Sequence, residues 1–132
     1  MIRRNFLKVL ALFGVKATLT ATSFDETKIK AIELNECFVV GLQYYDGKDF
    51  NADTVKFLTL KSEPTNEYDE NAIEVYSEGL KIGYIPRTEN KVISNMMKQN
   101  VQVIAKITKF NPEDSYTHRI KVKLYQVWFR KR

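Results

Sequence analysis

Five tyrosines fall in predicted loops or at the ends of predicted strands: Tyr44, Tyr45, Tyr68, Tyr84 and Tyr116. Every nucleobase has a face that stacks on an aromatic ring, and such stacking contributes about 1 to 3 kcal/mol per base. Tyrosines grouped in this way are typical of surfaces that hold single-stranded nucleic acid. Each tyrosine alone is more readily explained by packing in or beside the core. A binding surface is therefore indicated by the grouping of the five, not by any single one.

Residues able to hold a metal or to catalyse a reaction are scarce. Cys37 and His118 are the single cysteine and the single histidine, too few for a disulfide or a zinc site. Cys37 opens an apolar run and is predicted to be a small buried hydrophobic residue. The sequence has no glycine-rich phosphate loop and no nucleophile elbow, and the adjacent carboxylates Asp69 and Glu70 are expected to solvate a loop. We therefore predict a binding module without metal or cofactor, not an enzyme.

The net charge of +5 is unevenly distributed. Residues 1–24 carry four basic residues and no acid, which leaves 17 basic and 16 acidic residues, a balance of +1, for the rest. Proteins that coat duplex DNA neutralise many phosphates and are visibly basic, so a near-neutral body predicts a local pocket instead. One basic run, without acids, indicates either a phosphate-facing edge or a solvated strand face and tail. It consists of Arg119, Lys121, Lys123, Arg130, Lys131 and Arg132.

The N-terminal segment, residues 1–24, resembles a bacterial twin-arginine export signal. Residues 3–8 read RRNFLK and precede a short apolar stretch. Lys16 interrupts that stretch and Ala21 closes a poor cleavage site, so an amphipathic helix is the alternative prediction. A spanning helix is not expected, because it needs roughly 20 apolar residues. The protein is predicted to be cytoplasmic if this segment is retained, and exported if it is cleaved near Ala21.

Short β-prone runs separated by turn residues fill a predicted domain over residues 31–129. A hairpin turn is predicted at Glu78 and Gly79, and a long polar loop at residues 63–71. Strands are predicted at residues 37–45, 54–60, 72–76, 80–85, 101–108 and 119–124.

One helix is predicted over residues 89–99, with Thr88 as its N-cap and Asn100 as its C-terminal cap. Its apolar face is predicted to consist of Val92, Ile93, Met96 and Met97. Five to six strands and one main helix predict a mainly β fold, a small OB-like or SH3-like barrel, behind an N-terminal helical appendage.

Three ordered blocks of the sequence resemble the HIRAN domain family. Residues 39–45 read VVGLQYY, residues 63–73 read EPTNEYDENAI, and residues 82–87 read IGYIPR. HIRAN domains occur alone in bacteria and fused to helicase-like ATPases in eukaryotes, and the fork-remodelling relatives use an OB-like barrel to bind single-stranded DNA at its 3′ end. The resemblance therefore implies a DNA-end-binding module, with a helicase or nuclease in another chain as a candidate partner.

The family's motif also implies roles for individual residues. Tyr44 and Tyr116 would stack on bases, and Tyr84 and Arg87 would lie beside the strand. The pocket for the terminal nucleotide would be lined by Asn66, Tyr68 and Asp69. The predicted nucleic-acid-binding residues are Tyr44, Tyr45, Asn66, Tyr68, Asp69, Tyr84, Arg87 and Tyr116.

Asp69 gives this prediction a physical basis. A carboxylate near DNA phosphates is repelled, so it favours binding only where it accepts a hydrogen bond from a hydroxyl. A free 3′-OH is such a donor, whereas an internal nucleotide of DNA has no sugar hydroxyl to offer. The same carboxylate therefore favours the end of a strand over its middle.

Three observations leave other interpretations open. Asp69 and Asn71 would also stabilise the loop through Asx turns, leaving a domain that keeps the fold without the ligand. Gln43 stands where the DNA-end-binding relatives carry arginine, so a phosphate contact is lost unless Arg87 or the strand with Lys121 and Lys123 replaces it. The export-like segment favours a different class, an exported or membrane-tethered module that binds protein or peptide through a sheet edge.

Overall fold

A computed structural model describes residues 29–129, which build one antiparallel sheet of six strands around an apolar core. The strands are β1 (Ile29–Phe38), β2 (Phe57–Ser62), β3 (Ile73–Ser77), β4 (Leu80–Tyr84), β5 (Gln102–Phe110) and β6 (Ile120–Phe129). Their order in the sheet is β1-β6-β5-β2-β3-β4. The prediction of a mainly β, OB-like barrel with one main helix is confirmed. The predicted N-terminal signal or helix lies outside the described residues.

The segment after β1 joins the two ends of the sheet. The Val39 N–H donates to the Ile120 carbonyl at 2.9 Å, and Val40 and Tyr84 exchange two backbone hydrogen bonds of 2.9 Å. This segment therefore bonds to β6 on one side and to β4 on the other. The approach to β4 requires a glycine, since a Cβ at Gly83 would lie 2.4 Å from the Val40 carbonyl oxygen.

Alternating apolar residues supply the core, as predicted for β6. Ile120, Val122 and Leu124 are fully buried, and in the register of β5 and β6 they lie opposite Phe110, Ile107 and Ala105. The hairpin between β3 and β4 is also confirmed. Glu78 and Gly79 have φ values of 49° and 84°, the left-handed conformation that a two-residue turn of type I′ requires.

The helix, α1 (Lys91–Lys98), is shorter than predicted and begins differently. Asn90, not Thr88, occupies the N-cap position, and its side chain makes no capping hydrogen bond because it is engaged elsewhere. Val92 is 69% exposed, so its assignment to the buried face was wrong, whereas Ile93 is buried. The C-terminal cap is confirmed: Asn100 has a φ of 66°, and its N–H donates to the Met97 carbonyl.

The first predicted strand was wrong in its position. β1 ends at Phe38, and Gly41, with a φ of 79°, turns the chain into a short 3-10 helix, Leu42–Tyr44. Leu42 is fully buried, so burial of its side chain favours the inward turn over a continued strand. A second 3-10 helix, Asp46–Asp49, follows, and β2 then begins at Phe57 instead of the predicted residue 54. Within the described residues, no helix is long and apolar enough to cross a membrane.

Candidate functional site

Asn66 organises the polar loop between β2 and β3. Its side-chain oxygen accepts hydrogen bonds from the backbone N–H groups of Tyr68, at 2.9 Å, and Asp69, at 3.0 Å. Its side-chain nitrogen donates to the Glu63 carboxylate at the start of the loop. The Asn66 side chain thus both accepts and donates hydrogen bonds, and it fixes the backbone that carries Tyr68 and Asp69.

Asp69 is held in place by contacts on both carboxylate oxygens. Oδ1 accepts the Asn71 N–H at 2.9 Å, and Oδ2 accepts the Asn90 side-chain amide at 2.8 Å. The hydrogen bond from Asn90 is the main reason that the pKa of Asp69 lies below its usual value. The Asx turn considered from the sequence is therefore present at Asp69. Since each carboxylate oxygen has two lone pairs, further acceptor capacity remains.

Three side chains around this loop and the first 3-10 helix are largely exposed, and we call Tyr44, Tyr68 and Arg87 the tyrosine rim. Tyr44 is 75% exposed and Tyr68 is 78% exposed. A hydrogen bond with Glu67 raises the pKa of Tyr68. The Arg87 side chain is 76% exposed, and its Nε lies 4.0 Å from Asp69 Oδ2. Arg87 thus places a cation beside the anchored carboxylate, and Tyr68 presents an exposed ring one residue away from it.

Tyr45 and Tyr84 point into a second, less exposed group of side chains. Their rings meet edge to face with centroids 5.7 Å apart. Lys81 Nζ lies 4.3 Å from each ring centroid and donates to the Tyr84 hydroxyl at 2.6 Å. The Tyr84 hydroxyl in turn donates to Glu63 at 3.0 Å. We call Tyr45, Glu63, Glu74, Lys81 and Tyr84 the Lys81 cluster.

The charges of the Lys81 cluster compensate one another. Lys81 Nζ lies 3.2 Å from Glu74 and 3.9 Å from Glu63, and Glu74 is 6% exposed. Burial alone would lower the pKa of Lys81, but hydrogen bonds to Tyr84 and Glu74 outweigh it and hold this pKa above its usual value. Burial raises the pKa of Tyr84 to about 12. The hydrogen bond from Asn66 lowers the pKa of Glu63, so at neutral pH Lys81 is an ammonium ion, Glu63 is ionised and Tyr84 is neutral.

Tyr116 lies on a third 3-10 helix, Tyr116–His118, and is 38% exposed. The Arg119 guanidinium stacks 4.2 Å from the centre of its ring and donates two hydrogen bonds to the Asp114 carbonyl. This 3-10 helix contacts the one that carries Tyr44. One face of the Tyr116 ring is therefore already covered by arginine.

Six of the eight predicted residues belong to one connected set of contacts. Asp69 meets Arg87, Tyr45 meets Tyr84, and Glu63 joins Tyr84 to Asn66, whose amide holds the backbone of Tyr68. The structure gives no direct side-chain contact between Tyr44, Tyr68 and Tyr116. Sequence reasoning missed Lys81, Glu63 and Asn90. Nothing local marks Lys81 or Asn90, whereas Glu63 belongs to the polar block that the resemblance singled out.

A separate open groove of about 620 Å³ lies outside this set. It is lined by Lys48, Asp49, Phe50, Asn51, Asp53, Phe110, Pro112 and Arg119. It adjoins the site through Arg119, which stacks on Tyr116, and through Lys48, whose N–H donates to the Tyr45 carbonyl. Within residues 29–129, no three His, Cys, Asp or Glu side chains are grouped so that they could hold a metal ion.

Known proteins resemble this chain in both sequence and fold. The HIRAN domain family model matches residues 32–128. The mouse protein named Helicase-like transcription factor is 32% identical over 80 residues, which are 60% of this chain and only 8% of the mouse protein. A crystal structure of a protein from Lactobacillus plantarum has a TM-score of 0.66 at 26% identity and covers 75% of this chain and 97% of its own. The crystal structure of the HIRAN domain of human HLTF has a TM-score of 0.54 at 20% identity, covering 81% and 84% of the two chains, and is similar in fold.

Proposed function

This chain belongs to the HIRAN domain family, and from that premise we propose that it is a DNA-binding module that recognises the 3′-hydroxyl end of a single strand. Membership in the family supports DNA binding in general. The site geometry supports recognition of the 3′-hydroxyl end. A binding role also fits a relative named as a helicase-like transcription factor, because a module of this kind would deliver a DNA end to a helicase or nuclease in another chain.

The observation that carries the proposal is an anchored carboxylate, Asp69, one residue away from an exposed tyrosine ring. Asp69 is ionised and fixed by Asn71 and Asn90, while Tyr68, one residue away, presents most of its ring to solvent. The ring offers a base a stacking surface. The carboxylate accepts a hydrogen bond from a sugar hydroxyl and repels phosphate, so the pair selects a terminal nucleotide with a free 3′-OH.

Arg87 supplies the positive charge that such a site needs. Its guanidinium has five N–H donors, and Asp69 approaches only its Nε, at 4.0 Å. The rest of the Arg87 guanidinium is exposed, so its N–H groups are available to the phosphate one nucleotide away from the 3′ end. This contact offsets the absence of an arginine at Gln43, which is itself exposed.

The proposal is tested by fluorescence anisotropy of the full chain with labelled oligonucleotides that differ only at the 3′ end. A 3′-phosphate is expected to weaken binding by at least tenfold, because it removes the donor and adds repulsion, and a hydrogen bond to a charged group contributes about 1.5 to 3 kcal/mol. Asp69→Ala should weaken binding to the free end by a similar factor and abolish the discrimination. Glu70→Ala, which removes an exposed carboxylate from the same loop, is the matched control and should leave both unchanged.

Asp69 also holds the loop, so folding must be checked separately. Asp69→Asn keeps the shape but replaces one of the two accepting oxygens with an NH2 group, so its circular dichroism spectrum should match that of the wild type while its melting temperature falls. Equal affinity of the wild-type protein for free and phosphorylated ends would contradict the proposal.

A second candidate function rests on β1. Within the described part of the chain, this strand ends the sheet order and pairs only with β6, and Ile32 is 50% exposed. Such an edge can accept a peptide strand, as in the exported or membrane-tethered module considered from the sequence. Mass spectrometry of the mature N-terminus separates the candidates, since cleavage near Ala21 favours export and an intact segment in the cytosol favours DNA binding.

A further inference from the structure

Asp69 and Arg87 carry opposite charges and lie side by side, yet they do not form a close ion pair. Arg87 Nε lies 4.0 Å from Asp69 Oδ2, which is longer than a hydrogen bond. An arginine and a carboxylate that are free to meet often form two parallel hydrogen bonds of about 2.7 to 2.9 Å. The long separation therefore needs a physical reason, because the proposed function assigns the two groups to different parts of the DNA.

The reason lies in Asn90, which occupies the carboxylate oxygen that Arg87 approaches. The Asn90 side-chain amide donates to Asp69 Oδ2 at 2.8 Å. Asn90 is 2% exposed, and its carbonyl accepts the Ser94 N–H at 2.7 Å in the first turn of α1, so the donor is fixed by a helix. The Arg87 side chain, by contrast, is 76% exposed. A buried donor fixed on a helix loses less side-chain entropy in this contact than an exposed arginine would lose.

The other contacts of Asp69 agree with this order. Oδ1 accepts the Asn71 backbone N–H at 2.9 Å. A second cation, Lys98 at the end of α1, donates at 3.4 Å to the Asn71 side chain. The hydrogen bond from Asn90 is the largest cause of the lowered pKa of Asp69, and the charges of Arg87 and Lys98 are smaller ones. Asn90 is therefore the principal partner of Oδ2.

We infer that Asn90 is a positioning residue that keeps Asp69 and Arg87 apart, so that the carboxylate is available to the 3′-hydroxyl and the guanidinium to a phosphate. The inference rests on the proposed function, which assigns those two contacts. Without the Asn90 amide, Oδ2 would lose a charge-assisted hydrogen bond and would attract the guanidinium instead. The closed pair would bind the DNA end poorly, because each charge would already have its partner.

The inference is tested with Asn90→Leu, which keeps the branched shape of the side chain and removes the amide donor. Fluorescence anisotropy of the full chain compares an oligonucleotide ending in a 3′-hydroxyl with its dideoxy counterpart at several salt concentrations. The wild type is expected to favour the hydroxyl end by about tenfold or more, and the variant by less than about threefold. The slope of log K against log salt should also decrease in magnitude by about 0.7, the value of one phosphate contact on single-stranded DNA.

Three further variants separate positioning from folding. Asn90→Ala removes the amide without adding volume and should reproduce both losses. Asn95→Leu removes an exposed amide from the same helix and should change neither property. Adding Arg87→Gln to Asn90→Leu should restore the discrimination between ends but not the salt slope, because Asp69 is released while the guanidinium is gone. A damaged fold would not be repaired by a second, exposed substitution.

A measurement without DNA keeps the outcome separate from that of the DNA-end proposal. Arg87→Gln should leave the melting temperature of the wild type unchanged, because an exposed and distant ion pair contributes little. The same substitution should lower the melting temperature of Asn90→Leu, in which the pair has closed. An equal effect in both backgrounds would overturn the inference.

The binding data then distinguish two further outcomes. If the wild type does not distinguish the two ends but the contrast in melting temperature is observed, end recognition fails and the separation of Asp69 from Arg87 by Asn90 stands. If the wild type distinguishes the ends and both Asn90 variants do so equally well, with the same salt slope, the inference is overturned and the DNA-end proposal stands.

Discussion

The Lys81 cluster and the tyrosine rim are connected through Glu63 and Asn66, yet they differ in how many contacts their side chains make with the rest of the protein. Lys81 contacts a hydroxyl, two carboxylates and two ring faces, all from the protein itself. Tyr44 and Tyr68 leave three quarters or more of their surface to solvent. The difference indicates that one region stabilises the fold and the other is available to a ligand.

Tyrosines that are close together in the sequence also differ in this respect. Tyr45 follows Tyr44 directly in the sequence, but its ring packs on Tyr84 while that of Tyr44 is 75% exposed. A binding role inferred for every tyrosine in a loop would be too broad. In our account Tyr45 and Tyr84 support the site, and Tyr44 and Tyr68 contact the DNA.

The largest expected effect is on stability, from Lys81→Met. This substitution keeps most of the side-chain volume but leaves Glu74, which is 6% exposed, without its cation. Removing one partner of a buried ion pair costs about 3 to 5 kcal/mol. We expect a loss of about 3 kcal/mol in urea unfolding, at the lower end because Lys81 retains some exposure. Lys30→Met should change stability by less than about 0.5 kcal/mol, and an equally small change for Lys81→Met would remove the distinction between the regions.

Substitutions of single tyrosines should affect DNA binding in the tyrosine rim and stability in the Lys81 cluster. Tyr68→Ala is expected to weaken binding of an oligonucleotide by about 1 to 3 kcal/mol, the value of one stacked base, with no change in melting temperature. Tyr45→Ala should instead lower the free energy of unfolding by about 2 kcal/mol, because it removes buried ring surface. Titration calorimetry and thermal melting of the two variants test this. The account is contradicted if Tyr68→Ala destabilises the protein and leaves affinity intact.

A smaller effect is expected in acid. The pKa values of Asp69 and Glu63 are lowered, in each case mainly by a hydrogen bond from an asparagine side chain. A lowered pKa in the folded state means that the stabilisation is present above the unfolded values, 3.8 and 4.5, and is lost as the pH falls through the folded ones. Unfolding free energies measured from pH 5 to pH 2 should therefore fall less steeply for Asp69→Asn than for the wild type. Parallel curves would show that Asp69 is not held as described.

Local patterns determined the parts of the fold that could be predicted. The alternation of Ile120, Val122 and Leu124, the left-handed turn at Glu78 and Gly79, and the cap at Asn100 depend on neighbours within a few residues. The end of β1 could not be predicted in this way. It depends on the burial of Leu42 against strands that come later in the sequence, which overrides the β propensity of residues 39–45.

The candidate site shows the same limit. The polar loop and its exposed tyrosine could be located from the sequence, because no core accommodates such a polar run. The Lys81 cluster could not, since Glu63 and Tyr84 are 21 residues apart and meet only through the register of β2, β3 and β4. Asn90 is a further case: its side chain donates to Asp69 across 21 residues, a contact that its place beside the helix does not suggest.

The central claim, that Asp69 accepts a hydrogen bond from the 3′-hydroxyl of a DNA end, is tested most directly by a cycle of four affinities. Wild-type protein and Asp69→Ala are each titrated with one oligonucleotide ending in a 3′-hydroxyl and with its dideoxy counterpart, which lacks the hydroxyl and adds no charge. The account predicts a coupling free energy of about 1.5 kcal/mol or more between the carboxylate and the hydroxyl. Additive effects of the two changes, with no coupling, would contradict it.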